Sequence, residues 1–314
     1  MSTPTVVVLH DNASWLPPFE RAFAAEGVNL VPWHLGERTL TLGEAPEDAV
    51  YWSRLSASAH TRGVPHAFDA ASATLAWLEA SGRRVVNGSP VAALEVSKVR
   101  QYSQLAAAGF DVPRTVAVIG SDGLAEAAAS FDGPFITKHN RGGKGLGVRR
   151  FESAGELLSQ HAAGLLEEPI DGILLLQELL VAPSPFVTRA EFIGGTFHYA
   201  VRVDTTTGFE LCPAEACAVP GEEGTAEPLF RLREEITADH PLIRRLEVFL
   251  AGQGVEIAGV EFFETIDGRT VPYDINTNTN YSPDVEGSVA SPAAAAIARF
   301  LGDLARQDAA VLVG

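Results

Sequence analysis

Glu261, Asp274 and Asn276 lie on either side of an Asp267-Gly268 turn signal, in two runs that read as β-strands. If a two-residue turn closes at Asp267-Gly268, Ile266 pairs with Arg269 and, counting outward, Glu261 comes to lie opposite Asp274. Side chains alternate along a strand, so Asn276 shares their face. Val260, Phe262, Val271, Tyr273 and Ile275 take the other, apolar face. Two carboxylates directly opposite each other repel, and such a pair persists where a cation sits between them. Three oxygen-bearing side chains on one face suit Mg²⁺, which takes a few protein carboxylates and completes its shell with phosphate oxygens and water.

A second group of residues supplies positive charge. Arg141-Gly142-Gly143-Lys144-Gly145-Leu146-Gly147 joins two strand-like runs. It is not a P-loop, because no Ser or Thr follows the Gly-Lys pair, and its spacing and context exclude the dinucleotide fingerprint. Glycines let backbone amides approach an anion closely, and Lys138, Arg141 and Lys144 add charge. Taken alone, the loop reads as readily as a flexible surface hairpin. Lys138 ends an apolar strand, where a lysine snorkels or meets an anion. Lys98, in a helical stretch, reads by itself as a solvated residue. Gln177-Glu178-Leu179-Leu180 closes a buried strand. It could offer backbone groups and leucine faces to an adenine ring, although a strand ending in polar residues is the plainer reading.

These residues need elements to hold them. Strand signals at Val6 to His10, Val28 to Trp33, Ala49 to Arg54 and Arg84 to Asn87 alternate with helices at Ser14 to Glu26 and His66 to Ser81, as in a small α/β unit with a parallel sheet. One helix from Val91 to Ala108 follows. Strands are expected at Phe135 to Lys138, Gly147 to Phe151 and Ile173 to Leu180, with a helix at Ser153 to Ala163. A hairpin turns at Gly194-Gly195, and helices span Pro241 to Ala251 and Ala293 to Arg306.

The composition narrows the function classes. The chain has 314 residues, enough for two or three cores, with 46% hydrophobic and 20% charged residues. A net charge of −17 argues against a nucleic-acid footprint. Only Cys212 and Cys217 are present, so a disulfide framework is not expected and a reducing cytosol fits. Their spacing, with no further Cys or His pair nearby, gives no zinc site. There is no Gly-x-Ser-x-Gly and no His-Glu-x-x-His. No signal peptide and no transmembrane segment are expected.

In order, the helix lysine, strand lysine, glycine loop, Gln-Glu hinge and acidic strand pair resemble the ATP-grasp enzymes, and within them the RimK-like amino-acid and peptide ligases. The resemblance runs from about Val86 to Asp284. It implies an α/β ATP-grasp fold: a parallel-sheet domain over 1–90, then two α+β subdomains over 91–170 and 171–314 that clamp ATP. It also implies ATP and Mg²⁺ as cofactors, with Mn²⁺ as an option. Lys98, Lys138, Arg141, Gly142, Gly143, Lys144, Gly145 and Gly147 would then meet the phosphates, and Gln177, Glu178, Leu179 and Leu180 the adenine. Glu261, Asp274 and Asn276 would hold the metal. Arg202, Lys138 and Arg189 would serve the chemistry, and Arg54 and Asn278 would touch substrate.

The implied reaction is a carboxylate–amine ligation through an acyl phosphate, with an amino acid or peptide as substrate, no nucleic-acid or membrane partner, and a homo-oligomer left open. A ligase of two free small molecules in the manner of glutathione synthetase, a catalytically inactive ATP-binding regulator, and a bicarbonate-phosphorylating carboxylase are the alternatives. Departures from the pattern are the missing Asp before Arg189 and the missing Phe-Arg-x-Asn after Arg202. In addition, Asn276-Thr277-Asn278-Thr279-Asn280-Tyr281 stands where Asn-x-Pro-Gly is usual. The acceptor pocket is therefore expected in loops, at Pro183 to Thr188, Thr205 to Pro220 and Thr277 to Gly287.

Overall fold

The computed structural model describes residues 3–143, 145, 147–206 and 229–311. Lys144, Cys212, Cys217 and positions 207–220 of the expected acceptor loop lie outside these residues.

The described strands form three sheets. The first is parallel, with β1 (Thr5–His10), β2 (Asn29–His34), β3 (Val50–Arg54) and β4 (Val85–Val86) in the order β2-β1-β3-β4. The unbroken apolar run of β1 is buried on both faces, as parallel sheets require. Helices α1 (Pro17–Ala25) and α2 (Ala67–Ala80) cover it. The helix expected from Ser14 starts later. A 3₁₀ turn over Ala13–Trp15 precedes Pro17 and Pro18, which have no N–H to donate and so sit at the helix start.

The second sheet is antiparallel, with β5 (Thr115–Ile119), β6 (Phe135–His139), β7 (Arg149–Phe151) and β8 (Ile173–Glu178) in the order β5-β8-β6-β7. It packs on α5 (Leu124–Ala129) and α6 (Ala154–Ala162). Between the first two sheets the chain makes two helices, not the single one expected. Ser97 accepts a hydrogen bond from the Arg100 N–H (3.3 Å), acting as an N-cap. This ends α3 (Ser89–Glu95) and starts α4 (Lys98–Ala107), so Lys98 stands at the first position of a helix.

The third sheet, also antiparallel, carries β9 (Phe186–Ile193), β10 (Thr196–Asp204), β11 (Phe230–Leu232), β12 (Ile257–Glu264) and β13 (Thr270–Asn276) in the order β11-β10-β9-β12-β13. One face packs on α7 (Pro241–Gln253), through Ala190, Phe192, Val260, Phe262 and Ile275. The other turns toward the first sheet and α9 (Ala293–Val311), which follows α8 (Pro283–Ser288). No helix among the described residues is long and apolar enough to cross a membrane.

The acidic hairpin reaches its expected pairing by a different route. The turn is a three-residue loop: Gly268 N–H donates to the Thr265 carbonyl (3.0 Å), and Thr265 N–H to the Arg269 carbonyl (2.9 Å). Gly268 has φ 83°, as such loops demand. Phe262 then pairs with Pro272 and Glu264 with Thr270, one residue out of the expected register. A β-bulge at Tyr273 restores it, so Glu261 still faces Asp274. The two departures cancel. Their cost to the sequence reading is Tyr273, which the bulge moves from the expected apolar face to the side of the carboxylates.

Candidate active site

A cavity of about 750 Å³ opens where the three sheets meet, and Lys98, Lys138, Arg189, Glu261, Asp274, Asn276 and Asn278 all line it, together with Gly142, Gly143 and Gly145. Glu261 is buried, and its Oε2 accepts a hydrogen bond from the Tyr273 hydroxyl (2.6 Å). Burial and then the neighbouring Asp274 push its carboxyl up to about 7. Asp274 Oδ1 accepts from Lys98 Nζ (3.2 Å), which also donates to the Gly142 carbonyl (3.0 Å). Lys98 thus joins the metal-type face to the glycine loop.

Lys138 is buried, with its ammonium 5.1 Å from the ring centre of Tyr102 and 5.7 Å from that of Tyr273. Burial and the neighbouring Lys98 lower it to about 7, against the pull of Asp274 and Glu261. The buried Glu261 and the partly buried Asp274 stand against the Lys98 and Lys138 cations, four charges of both signs crowded on one wall of the cavity. An incoming polyphosphate with a divalent cation supplies both signs. Two carboxylates and an amide oxygen on one face are the donor set that Mg²⁺ accepts, and Glu261, Asp274 and Asn276 fit that ion.

Local structure fixes these groups. Asn140, which the sequence reading missed, accepts through Oδ1 from the Val99 N–H (2.9 Å), and its carbonyl accepts from the Lys98 N–H (3.2 Å). It pins the start of α4 to the base of the glycine loop. Glu95 was missed too. Its Oε2 accepts from the Thr277 N–H (2.6 Å) and hydroxyl (2.8 Å), and its Oε1 from the Ala57 N–H (3.2 Å). It lines the cavity, and burial pushes its carboxyl up to about 7 despite those donors. A lone Glu before a helix lysine carries no distinguishing sequence pattern, so only the fold reveals this contact. Gly147 has φ 70°, and a Cβ there would lie 2.3 Å from the His139 ring, which accounts for a glycine at that position.

Other expected residues are placed elsewhere. Arg189 lies beside Glu261 across the β9–β12 pair and is tied to Glu191 (2.6 Å) and to the Asn280 carbonyl (3.1 Å). Arg202 does not line the cavity. It pairs with Thr188, and Thr188 with Phe262, which puts it on the α7 face of the sheet, its guanidinium over Phe186. Strand alternation thus separates it from Glu261.

Arg54 is 1% exposed and does not line the cavity. It donates to the Thr279 carbonyl (2.8 Å) and to Asn280 Oδ1 (3.0 Å), so it holds the loop that carries Asn278. Arg141 lies over Phe68, away from the cavity lining. Gln177, Glu178, Leu179 and Leu180 are also off the lining. Gln177 donates to Thr115 (2.8 Å), and Glu178 accepts from the Arg114 N–H (2.9 Å) and pairs with Arg269 (3.2 Å).

Among solved structures, the chain is similar to a RimK domain ATP-grasp protein from Sphaerobacter thermophilus DSM 20745, with a TM-score of 0.66 and 22% identity over 94% of this chain and 98% of that one. It is also similar to the D-cycloserine synthetase DcsG, with a TM-score of 0.68 and 17% identity over 96% of this chain and 99% of that one. The chain has the ATP-grasp fold. The ATP-grasp ligase PsnB, in complex with a minimal precursor, Mg and ADP, superposes with a TM-score of 0.63 and 18% identity over 98% of this chain and 99% of that one.

Among curated proteins, the N5-carboxyaminoimidazole ribonucleotide synthases of Mycobacterium bovis and Mycobacterium tuberculosis are 34% identical over 181 residues, or 54% of this chain. The chain spans 37% of the length of these relatives. No family model matches the chain. The expected architecture, a parallel-sheet α/β domain followed by two α+β subdomains, is the one found, the latter two built on antiparallel sheets.

Proposed function

We propose that this ATP-grasp chain is an ATP-dependent carboxylate–amine ligase. The observation that carries the reading is the face-to-face pairing of Glu261 and Asp274 on a cavity that also receives Lys98, Lys138 and the glycine loop. A substrate carboxylate attacks the γ-phosphorus of ATP, giving an acyl phosphate and ADP. An amine then attacks the acyl carbon, forming the amide and releasing phosphate. Phosphoryl transfer of this kind rests mostly on positioning and charge neutralisation. Lys138 and the amides of Gly142 and Gly143, which line the cavity, would offset charge on the phosphates. Lys98 anchors the loop to Asp274. Mg²⁺ held by Glu261, Asp274 and Asn276 would neutralise and orient phosphate oxygens. Arg189, not Arg202, is the arginine available to the reacting groups. ADP release that depends on both a carboxylate and an amine tests the reaction. Asp274→Asn is expected to lower it at least 100-fold in a protein with an unchanged circular-dichroism spectrum, and near-wild-type turnover would remove the metal assignment.

The 34% identity with carboxyaminoimidazole ribonucleotide synthases favours one further reading, in which the carboxylate is bicarbonate and the product a carbamate. ADP release driven by bicarbonate with no other carboxylate present would select it.

A further inference from the structure

The cavity continues beyond the carboxylates. Its volume of about 750 Å³ falls in the range of small-molecule sites. A second wall is built by the segment leading into α1, by α1 itself, and by residues 281–295. Trp15, Pro18, Ala22, Tyr281, Pro292 and Ala295 present mainly carbon there. Two charged groups stand on this wall, Arg21 and Glu286. Glu286 is fully engaged: it accepts from the Tyr199 hydroxyl (2.8 Å) and from the Ala293 (2.9 Å) and Ala294 (3.2 Å) N–H groups at the start of α9. Arg21 is exposed and has no ion pair or hydrogen bond among the described residues.

Between this wall and the metal-type face stands Asn278. Its amide oxygen and nitrogen are both buried and both lack a partner. A buried unpaired polar group costs about 1–3 kcal/mol, a penalty removed when a ligand supplies a donor and an acceptor. Asn278 lines the cavity two residues after Asn276, and Glu95 pins the residue between them.

We propose that this wall binds a small molecule with an apolar body the size of a leucine or phenylalanine side chain and a single carboxylate, an apolar amino acid, as one substrate of the ligase. Asn278 hydrogen-bonds its polar head, and Arg21 supplies the one free positive charge of the wall among the described residues. Glutamate or an acidic peptide tail would set further negative charge against carbon, in a chain of net charge −17, with Arg21 alone to offset it on this wall among the described residues. The inference rests on the ligase reading above.

The test is thermal-shift titration of the full chain with leucine, phenylalanine, glutamate, lysine and a short acidic peptide, in the presence of Mg²⁺ and a non-hydrolysable ATP analogue. Leucine or phenylalanine is expected to bind at least 10-fold more tightly than glutamate, lysine or the peptide. Ala295→Phe and Ala22→Leu, which fill the wall, are each expected to weaken that binding at least 10-fold while leaving the affinity for the nucleotide analogue within 2-fold. Retained nucleotide binding shows that the variants are folded. Tighter binding of glutamate or the peptide overturns the proposal. So does unchanged binding of the apolar ligand in a variant that holds nucleotide, or no binding of any apolar ligand when nucleotide binds. Failure of the wild-type chain to bind the nucleotide would instead overturn the ligase reading, and this inference with it.

Discussion

At the residue scale, the site is a balance of buried charges held by hydrogen bonds. Lys138 is buried with aromatic rings around it and an ammonium lowered to about 7. A nucleotide phosphate would restore its charge and take its hydrogen bonds. Lys138→Met is therefore expected to weaken ATP binding by about 1.5–3 kcal/mol, roughly 10- to 100-fold, read by calorimetry.

Glu95 behaves differently. Burial raises its carboxyl from 4.5 in the unfolded chain to about 7 in the fold. Between those values the folded state holds the proton that the unfolded state has released. Its contribution to stability is thus complete below about pH 4.5 and is lost as pH rises through about 7. Each pH unit in that window is worth about 1.4 kcal/mol. Glu95→Gln is expected to flatten this part of the curve, so that wild type loses up to about 3 kcal/mol more stability than the variant between pH 5 and pH 8. Parallel urea-denaturation curves at both pH values would refute it.

At the element scale, β12 and β13 act together as a platform, and glycine decides how closely other chain segments approach it. A Cβ on Gly259 would lie 2.7 Å from Thr279 Cγ2, 3.0 Å from Glu191 Oε2 and 3.2 Å from Arg189 Cδ. Gly259→Ala must push aside the 279–280 loop or the Arg189–Glu191 pair. Overpacking of this kind costs about 1–3 kcal/mol. The expected result is a fall in kcat/KM for ligation with ATP affinity largely kept, because the displaced groups face the substrate side. An unchanged kcat/KM would show that the platform yields without consequence. Helix α4 illustrates the same point in reverse, since the Ser97 cap sets where the helix begins and so where the Lys98 ammonium emerges.

At the scale of the whole molecule, a few long-range ties hold the first sheet against the third. Asn87 adopts φ 56°, unusual for a residue other than glycine. Its Nδ2 donates to the Ile257 carbonyl (2.7 Å), and its Oδ1 accepts from the Glu256 N–H (3.0 Å). Next to it, Arg84 pairs with Glu256. Asn87→Ala is expected to cost about 2–4 kcal/mol, from the orphaned backbone groups and the strained φ together. Asn87→Gly, which relieves only the strain, is expected to recover part of it. Equal stability of the two variants in urea would leave the hydrogen bonds as the whole effect. On the other side of the cavity, Arg269 at the end of the acidic hairpin's loop pairs with Glu178 at the end of β8, tying the third sheet to the second.

The sequence alone determined the order of the longer strands and helices, because apolar runs, their periodicity and the Gly and Pro punctuation are local properties; it joined α3 and α4 into one helix and left α5, β11 and α8 unmarked. It also brought Glu261, Asp274 and Asn276 to one face by strand alternation, although the count from the turn reached the right pair only because a longer loop and a bulge cancel. It determined the fold class through the ordered set of lysines, glycine loop and acidic pair. Tertiary structure decided the rest. It moved Tyr273 beside Glu261 through a bulge that no local pattern announces. It turned Arg202 to the far face of the sheet, and it buried Arg54, expected to touch substrate, against the 279–280 loop. Glu95 and Asn140 act through partners 38 to 182 residues away in sequence. Such contacts are set by how three sheets close on one another, a long-range packing event that residue spacing along the chain does not encode.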